Sequence, residues 1–211
     1  HFDLSQYGLT YQIRLSLSNR IIDNNIGNFN EFYYGREFSP AGYSWIFPHI
    51  NHLRIGVGAI AILSKEKKFE QYVERILRMK NIKGEIIKCE GYPVPLSGGL
   101  STVVHKRAAL VGDAAHQVSP MLGAGIHTSF IIGTVLGKIL AKCIQKHNPS
   151  LLSYYQNYWR RLIRPRLLLE RKAVEMLLSQ KRKSGKRKLK PFIIKLFSDI
   201  LIYRRQLWIR V

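Results

Sequence analysis

The chain has 211 residues, 46% of them hydrophobic and 11% aromatic, which excludes a disordered protein and supplies apolar side chains for a substantial core. Its charge is lopsided: 34 Lys and Arg face 13 Asp and Glu, and 20 basic against 3 acidic residues between Lys138 and Arg210 put +17 of the net +21 in the last third. Two distant cysteines, Cys89 and Cys143, exclude a disulfide framework and have no metal-ligand spacing, so no metal site is expected and the setting reads as reduced and intracellular.

From Phe2 to Leu17, the residues Tyr7, Leu9, Tyr11, Ile13, Leu15 and Leu17 alternate with mostly polar or small ones, the period of a strand with one buried face. Asn19–Asn30 is rich in Asn, contains Gly27, and reads as turns. Glu31–Tyr34 is a short aromatic strand closed by Gly35. In Pro40–Pro48, Tyr43, Trp45 and Phe47 fall at period two, so three rings project from one face and form a flat apolar wall. Gly56-x-Gly58-x-x-Ala61 has the spelling of a dinucleotide fingerprint. Arg54–Leu63 nevertheless reads as one continuous strand, so the fingerprint is rejected; the glycines are expected to admit another backbone or a substrate chain. Ser64 caps a helix reaching Lys80, with Phe69, Tyr72, Val73, Ile76 and Leu77 on one face. Glu85–Leu96 is a strand pair kinked at Pro93 and Pro95, and Ser97-Gly98-Gly99 is a loop expected near a ligand.

Val103–His105 pairs with the apolar run Ala109–Val111 across Lys106-Arg107. Gly112-Asp113 then turns the chain, and Asp113 is the only acid between Glu90 and Glu170. At the end of a buried strand it is placed to accept a hydrogen bond from a sugar-like hydroxyl. Gly123-Ala124-Gly125 precedes a helix from Ile126 to Lys146. A glycine pair there lets backbone N–H groups approach a ligand, and the positive helix end favours partial negative charge. Asn148-Pro149-Ser150 breaks the chain, and Leu151–Gln180 returns to helix, interrupted near Pro165. Lys181–Lys190, with seven basic residues, reads as an exposed turn or loop, and Phe192–Val211 as a last amphipathic helix. No stretch of about 18 uncharged apolar residues occurs, so no membrane-spanning helix is expected. The cationic tail suits an anionic membrane surface; no zinc-finger, homeodomain or RNA-binding sheet signature supports nucleic acid.

Gly112-Asp113-Ala114-Ala115, then Pro120, then Gly123-x-Gly125, resembles the second flavin-binding motif of FAD-dependent reductases and monooxygenases. Pro40-x-x-Tyr43-x-Trp45-x-Phe47-Pro48, followed by Gly56-x-Gly58, is similar to the substrate-pocket motif of the geranylgeranyl reductase family. The resemblance implies FAD as cofactor, held by Gly112, Asp113, Pro120, Gly123, Ala124, Gly125 and Ile126. It implies an isoprenoid lipid substrate lying along Tyr43, Trp45, Phe47, Pro48 and Gly56. The implied reaction is hydride transfer from reduced FAD to a carbon of an isoprenoid double bond, with a proton delivered to its neighbour. His116, His127 and Tyr43 are candidates for the proton, and none is singled out. Two alternatives stand beside this one: an aromatic-ring monooxygenase-like enzyme, suggested by Ala115-His116, and a non-catalytic fragment that binds a membrane or a partner.

The same resemblance implies an α+β fold, the C-terminal part of a two-domain FAD-binding oxidoreductase. An antiparallel substrate-domain sheet is expected over 1–108, the closing strand and helix of the FAD domain over 109–146, and a basic helical tail over 147–211. The family's pyrophosphate-binding Gly-x-Gly-x-x-Gly strand is not found at the start of the chain. A missing N-terminal Rossmann half, or a separate chain supplying it, is therefore an expected partner, and the protein is expected to be cytoplasmic and peripheral to a membrane.

Overall fold

A computed structural model of the chain describes residues 3–64 and 68–183. Contacts divide the chain into two compact units, residues 1–173 and 174–211. The fold is α+β.

The alternation at the N-terminus produces strand β1 (Tyr7–Ser16), which buries Ile13 and Leu15 on one face. With β2 (Glu31–Tyr34), β3 (Gly42–Pro48), β4 (His52–Ile60) and β5 (Glu85–Pro95) it forms an antiparallel sheet in the order β2-β3-β4-β1-β5. Helices α1 (Asn19–Asn25) and α2 (Glu70–Met79) supply Ile22, Val73 and Ile76 to a core that also holds Ile13, Leu15, Ile46, Leu53, Ile55 and Val57. Each such buried side chain stabilises the fold by roughly 1.5–3 kcal/mol. Because the side-chain period of a strand is two, this core uses one face of the sheet and leaves the other to the residues between.

Several expectations are corrected here. Asn19–Asn25 is helical rather than a set of turns, because Ile22 and Ile26 are one helical turn apart and both are buried in this core. Ser64 does not cap α2; its hydroxyl donates to the carbonyls of Ile60 and Ala61, and α2 begins only at Glu70. Glu85–Pro95 is one strand and not two: β5 lies at the sheet edge, where Pro93 and Pro95 pair with Leu9 and Tyr7 without needing an outward donor.

The second core gathers around α3 (Ile126–Gln145) and α4 (Leu152–Tyr158), joined to α5 (Arg164–Lys183) by a π-helical turn at Trp159–Ile163. Val103, Ala115, Ile132, Leu136, Leu152, Tyr155, Trp159 and Leu167 are its buried members. The π turn has a cause: Pro165 has no N–H to return to the preceding turn, and the Arg164 N–H reaches back to Trp159 O. A short hairpin, β6 (Val104–His105) with β7 (Ala108–Ala109), precedes the flavin-type motif. Leu110 and Val111 lie beyond this hairpin and are exposed, so the expected buried strand Ala109–Val111 is shorter and more open than its composition suggested.

Among the described residues α3 is long and apolar enough to cross a membrane by length and composition alone. It carries Lys138 and Lys142 and packs Ile132 and Leu136 into the second core, while Ile126, Phe130, Ile131 and Ile144 are exposed. Lys181–Lys183 continue α5 as helix rather than turn. The remainder of Lys181–Lys190 and the helix expected at Phe192–Val211 lie outside the described residues.

Candidate functional site

The flavin-type motif folds as a tight turn, Gly112–Ala115, entered from extended Val111. Gly112 has φ +68°, His116 adopts the left-handed region at φ 55°, and Gly123 has φ +63°. Gly125 stands immediately before α3, and its carbonyl accepts from Ser129 N–H at 2.8 Å. A Cβ on Gly125 would meet Val118 Cγ2 at 3.0 Å and Asp113 Oδ1 at 3.3 Å. The glycine thus lets the Asp113 carboxylate sit against the first turn of α3, where the helix end favours it.

A cleft of about 500 Å³ opens here, lined by Val94, Asp113, Val118, Gly123, Gly125, Ile126, Ser129 and Phe130. Asp113 is exposed in it, and not buried as the strand reading implied. A Cβ built on Gly123 would meet nothing within 4 Å, so this backbone faces open space. The arrangement fits the flavin side of an FAD: a carboxylate acceptor, an open glycine backbone and a helix N-terminus converge on one cleft. Among the expected cofactor residues, Gly112, Pro120 and Ala124 do not line the cleft, Pro120 being buried.

What holds this loop was not legible in the sequence. The Gly112 N–H donates to Gln117 Oε1 at 2.8 Å, and Gln117 Nε2 donates to the Tyr155 hydroxyl at 3.1 Å. That hydroxyl donates to Leu110 O at 2.6 Å. From the same helix Gln156 Oε1 accepts from Val103 N and Val104 N, and from the π turn that follows it Trp159 Nε1 donates to Leu100 O at 2.8 Å. Helix α4 and the π turn after it therefore satisfy backbone groups around the short β6–β7 hairpin, and residues expected to belong to a tail serve as the scaffold of the motif. In the Ser97-Gly98-Gly99 loop both glycines are buried and none of the three lines the cleft: a Cβ on Gly99 would sit 2.3 Å from the Trp159 ring.

Neither candidate histidine lines the cleft. His116 Nδ1 lies 2.7 Å from Ser97 Oγ, and its ring meets Tyr7 edge-on at 5.8 Å. Burial lowers its pKa below the ordinary imidazole value, a shift that Asp113 partly opposes, so His116 is neutral at pH 7. His127 lies in the first turn of α3, with Nε2 3.1 Å from Thr128 Oγ1.

The aromatic wall is present on the free face of the sheet. Trp45 stacks on Phe47 at 6.0 Å and meets Tyr43 edge-on at 5.9 Å, with Phe32 of β2 edge-on to Tyr43 and Phe47. Trp45 Nε1 donates to Gln12 Oε1 at 3.1 Å. Gly56 is directly opposite Trp45, and a Cβ there would lie 2.4 Å from the indole. The Gly-x-Gly pair is therefore filled by the Trp45 ring lying flat on β4, which corrects the expectation of an approaching backbone or substrate chain. Pro48 ends β3 opposite Leu53. Wall and cleft meet at one bond: the Tyr43 hydroxyl donates to Leu122 O at 3.0 Å, inside the loop between Pro120 and Gly123. Val94 on β5 lines the cleft from the sheet side.

Comparison with known proteins agrees with both halves of this site. Residues 8–93 match the geranylgeranyl reductase catalytic domain, and residues 64–168 match an FAD binding domain. A digeranylgeranylglycerophospholipid reductase of Methanococcus aeolicus is 33% identical over 150 residues, covering 67% of this chain and 36% of the relative. The Methanocaldococcus jannaschii protein of the same name is 33% identical over 142 residues, covering 63% of this chain and 35% of the relative. The chain thus spans about a third of the length of these curated relatives. The fold is also that of a geranylgeranyl bacteriochlorophyll reductase-like protein of Thermoplasma acidophilum, with TM-score 0.65 and 21% identity over 83% of this chain and 44% of the other. With an aromatic wall and a flavin-type loop joined through Tyr43, and with these two domain matches in order, the chain belongs to the geranylgeranyl reductase family of FAD-dependent oxidoreductases.

Proposed function

We propose that the protein reduces carbon–carbon double bonds of isoprenoid chains in lipids or prenyl diphosphates. The observation that carries the reading is the Tyr43–Leu122 bond, which sets an aromatic wall suited to hydrocarbon beside a cleft suited to a flavin. FAD, when bound and reduced, supplies the hydride. Asp113 would hold the cofactor by accepting from a ribityl hydroxyl, and the open backbone at Gly123 would face its ring. Tyr43, Trp45 and Phe47 orient the alkene chain and keep water from it.

The rest of the cofactor belongs to an N-terminal Rossmann half, in the same protein or in a separate chain. Leu110, Val111, Ile126, Phe130 and Ile131 are exposed around the cleft, with Ile126 78% and Phe130 74% accessible, and such a half would cover them. Its occurrence is supported by the length of the relatives, of which this chain accounts for 36% or less. Incubating the flavin-loaded, reduced protein with a geranylgeranyl lipid should add the mass of two hydrogens per double bond, read by mass spectrometry. Products gaining oxygen instead would favour the monooxygenase reading, and tight stoichiometric FAD on residues 1–211 alone would overturn the half-site.

The substrate's hydrocarbon lives in a bilayer, and the basic C-terminal region provides the means to reach it. Each Lys or Arg near an anionic leaflet is worth about 1 kcal/mol, screened by salt. Sedimentation with anionic liposomes should fall steeply with salt and disappear when residues 181–211 are removed; equal binding to neutral vesicles would refute peripheral electrostatic attachment.

A further inference from the structure

The wall face of the sheet carries more than rings. The registers align its side chains in transverse rows, because residues directly opposite on neighbouring strands share a face. One row is Tyr43, Gly58, Thr10 and Tyr92; the next is Trp45, Gly56, Gln12 and Glu90. The third is Phe47, Arg54, Arg14 and Lys88. Three cations therefore stand side by side on β4, β1 and β5. His49 in the β3–β4 turn and His52 at the start of β4 stack their rings at 4.5 Å and 6°.

This arrangement costs free energy as it stands. Like charges directly opposite one another in a sheet repel. Arg14 Nε, Arg54 Nε and His52 Nε2 are buried and have no hydrogen-bond partner, a state that ordinary proteins avoid. Glu90, in the neighbouring row on β5, is engaged by Lys88 and by Gln12 Nε2 at 3.5 Å. Glu85, exposed, pairs with Ser16 beyond the row. Desolvation, with help from the two arginines and, for His52, from His49, holds both imidazoles below the ordinary histidine value. What the cluster lacks is an anion with several acceptor oxygens, and guanidinium forks match phosphate oxygens in pairs.

Position supplies the second argument. Along β5, Val94 lines the flavin-side cleft and Lys88 ends the cation row, six residues or about 20 Å apart at strand rise. On β3 the wall spans the same rows, from Phe47 beside Arg54 in the cation row to Tyr43, whose hydroxyl reaches the loop at the cleft. We propose that Arg14 and Arg54, flanked by Lys88 and the His49–His52 pair, bind the phosphate or diphosphate head of an isoprenoid substrate whose hydrocarbon runs along Phe47, Trp45 and Tyr43 toward the cleft. The inference rests on the isoprenoid reading above and adds the head group and the direction in which the chain is laid.

Calorimetric titration of the protein with geranylgeranyl diphosphate, geranylgeraniol and inorganic pyrophosphate tests it. The diphosphate should bind about tenfold or more tightly than the alcohol at low salt, the usual worth of hydrogen bonds to a charged group. Arg14→Gln and Arg54→Gln should each remove most of that preference and leave the alcohol's affinity unchanged. Arg→Lys at either position keeps the charge but not the fork, and an intermediate loss is expected. Thermal melts identify any variant that fails to fold, and the lysine forms then carry the comparison. Equal affinity for diphosphate and alcohol, or a preference that survives both glutamine variants, overturns the head-group site while leaving the prenyl groove intact. Failure of the alcohol to bind the wild type overturns the groove itself. Pyrophosphate binding as tightly as the prenyl diphosphate would make this a site for free phosphate.

Discussion

Trp159→Ala is expected to destabilise the protein by about 3–5 kcal/mol, the cost of emptying a large buried aromatic site. Trp159 is fully buried, fills the space that Gly99 leaves vacant, and donates its indole N–H to Leu100 O. The loss is therefore both a cavity and an unpaired carbonyl in the backbone that leads into the flavin-type turn. Trp159→Phe keeps most of the volume and gives up the hydrogen bond, so about 1 kcal/mol is expected. Denaturant unfolding monitored by circular dichroism separates the two. A Trp159→Ala protein that unfolds with the wild-type midpoint would show that Trp159 does not hold the backbone at Gly99 and Leu100.

Asp113→Ala should act in the opposite way, with little effect on stability and a large one on the cofactor. Asp113 is exposed at the cleft, so its removal from the unliganded chain should stay within about 0.5 kcal/mol. In the flavin-loaded protein the carboxylate would be enclosed and paired with a ribityl hydroxyl. Deleting it then leaves that hydroxyl unsatisfied, and a loss of about 1–3 kcal/mol in FAD affinity follows. Flavin fluorescence titration measures this directly. Asp113→Asn retains an acceptor oxygen and should lose less. Unchanged affinity in Asp113→Ala would take this residue out of the cofactor site.

These two residues also mark what each kind of information could reach. Asp113 was visible in the sequence because its neighbours are glycines at fixed spacing before a helix, and the meaning of that pattern is local. The wall was visible for the same reason: Tyr43, Trp45 and Phe47 alternate within one strand, and alternation alone decides that they share a face. Trp159 was not visible as part of the site. It falls within Leu151–Gln180, which reads only as helix, and packing against Gly99 and Leu100 alone gives it a role. Gln117 and Tyr155 were equally hidden, because a side chain that satisfies a distant backbone leaves no periodic trace.

By itself, the amino-acid order determined the elements whose cause lies within a few residues: the alternating strands, α3 after its glycines, the break at Asn148-Pro149 and the two family motifs. Tertiary structure alone decided how those pieces meet. It made helix of Asn19–Asn25, since Ile22 and Ile26 gain more from the core than the asparagines gain from turns. It assigned Gly56 to the Trp45 ring, joined wall to cleft through Tyr43 and Leu122, and aligned Arg14, Arg54 and Lys88 from three separate strands into one row. The reason is the same in each case: strand register and side-chain packing are long-range quantities, settled by partners that lie far apart in the chain.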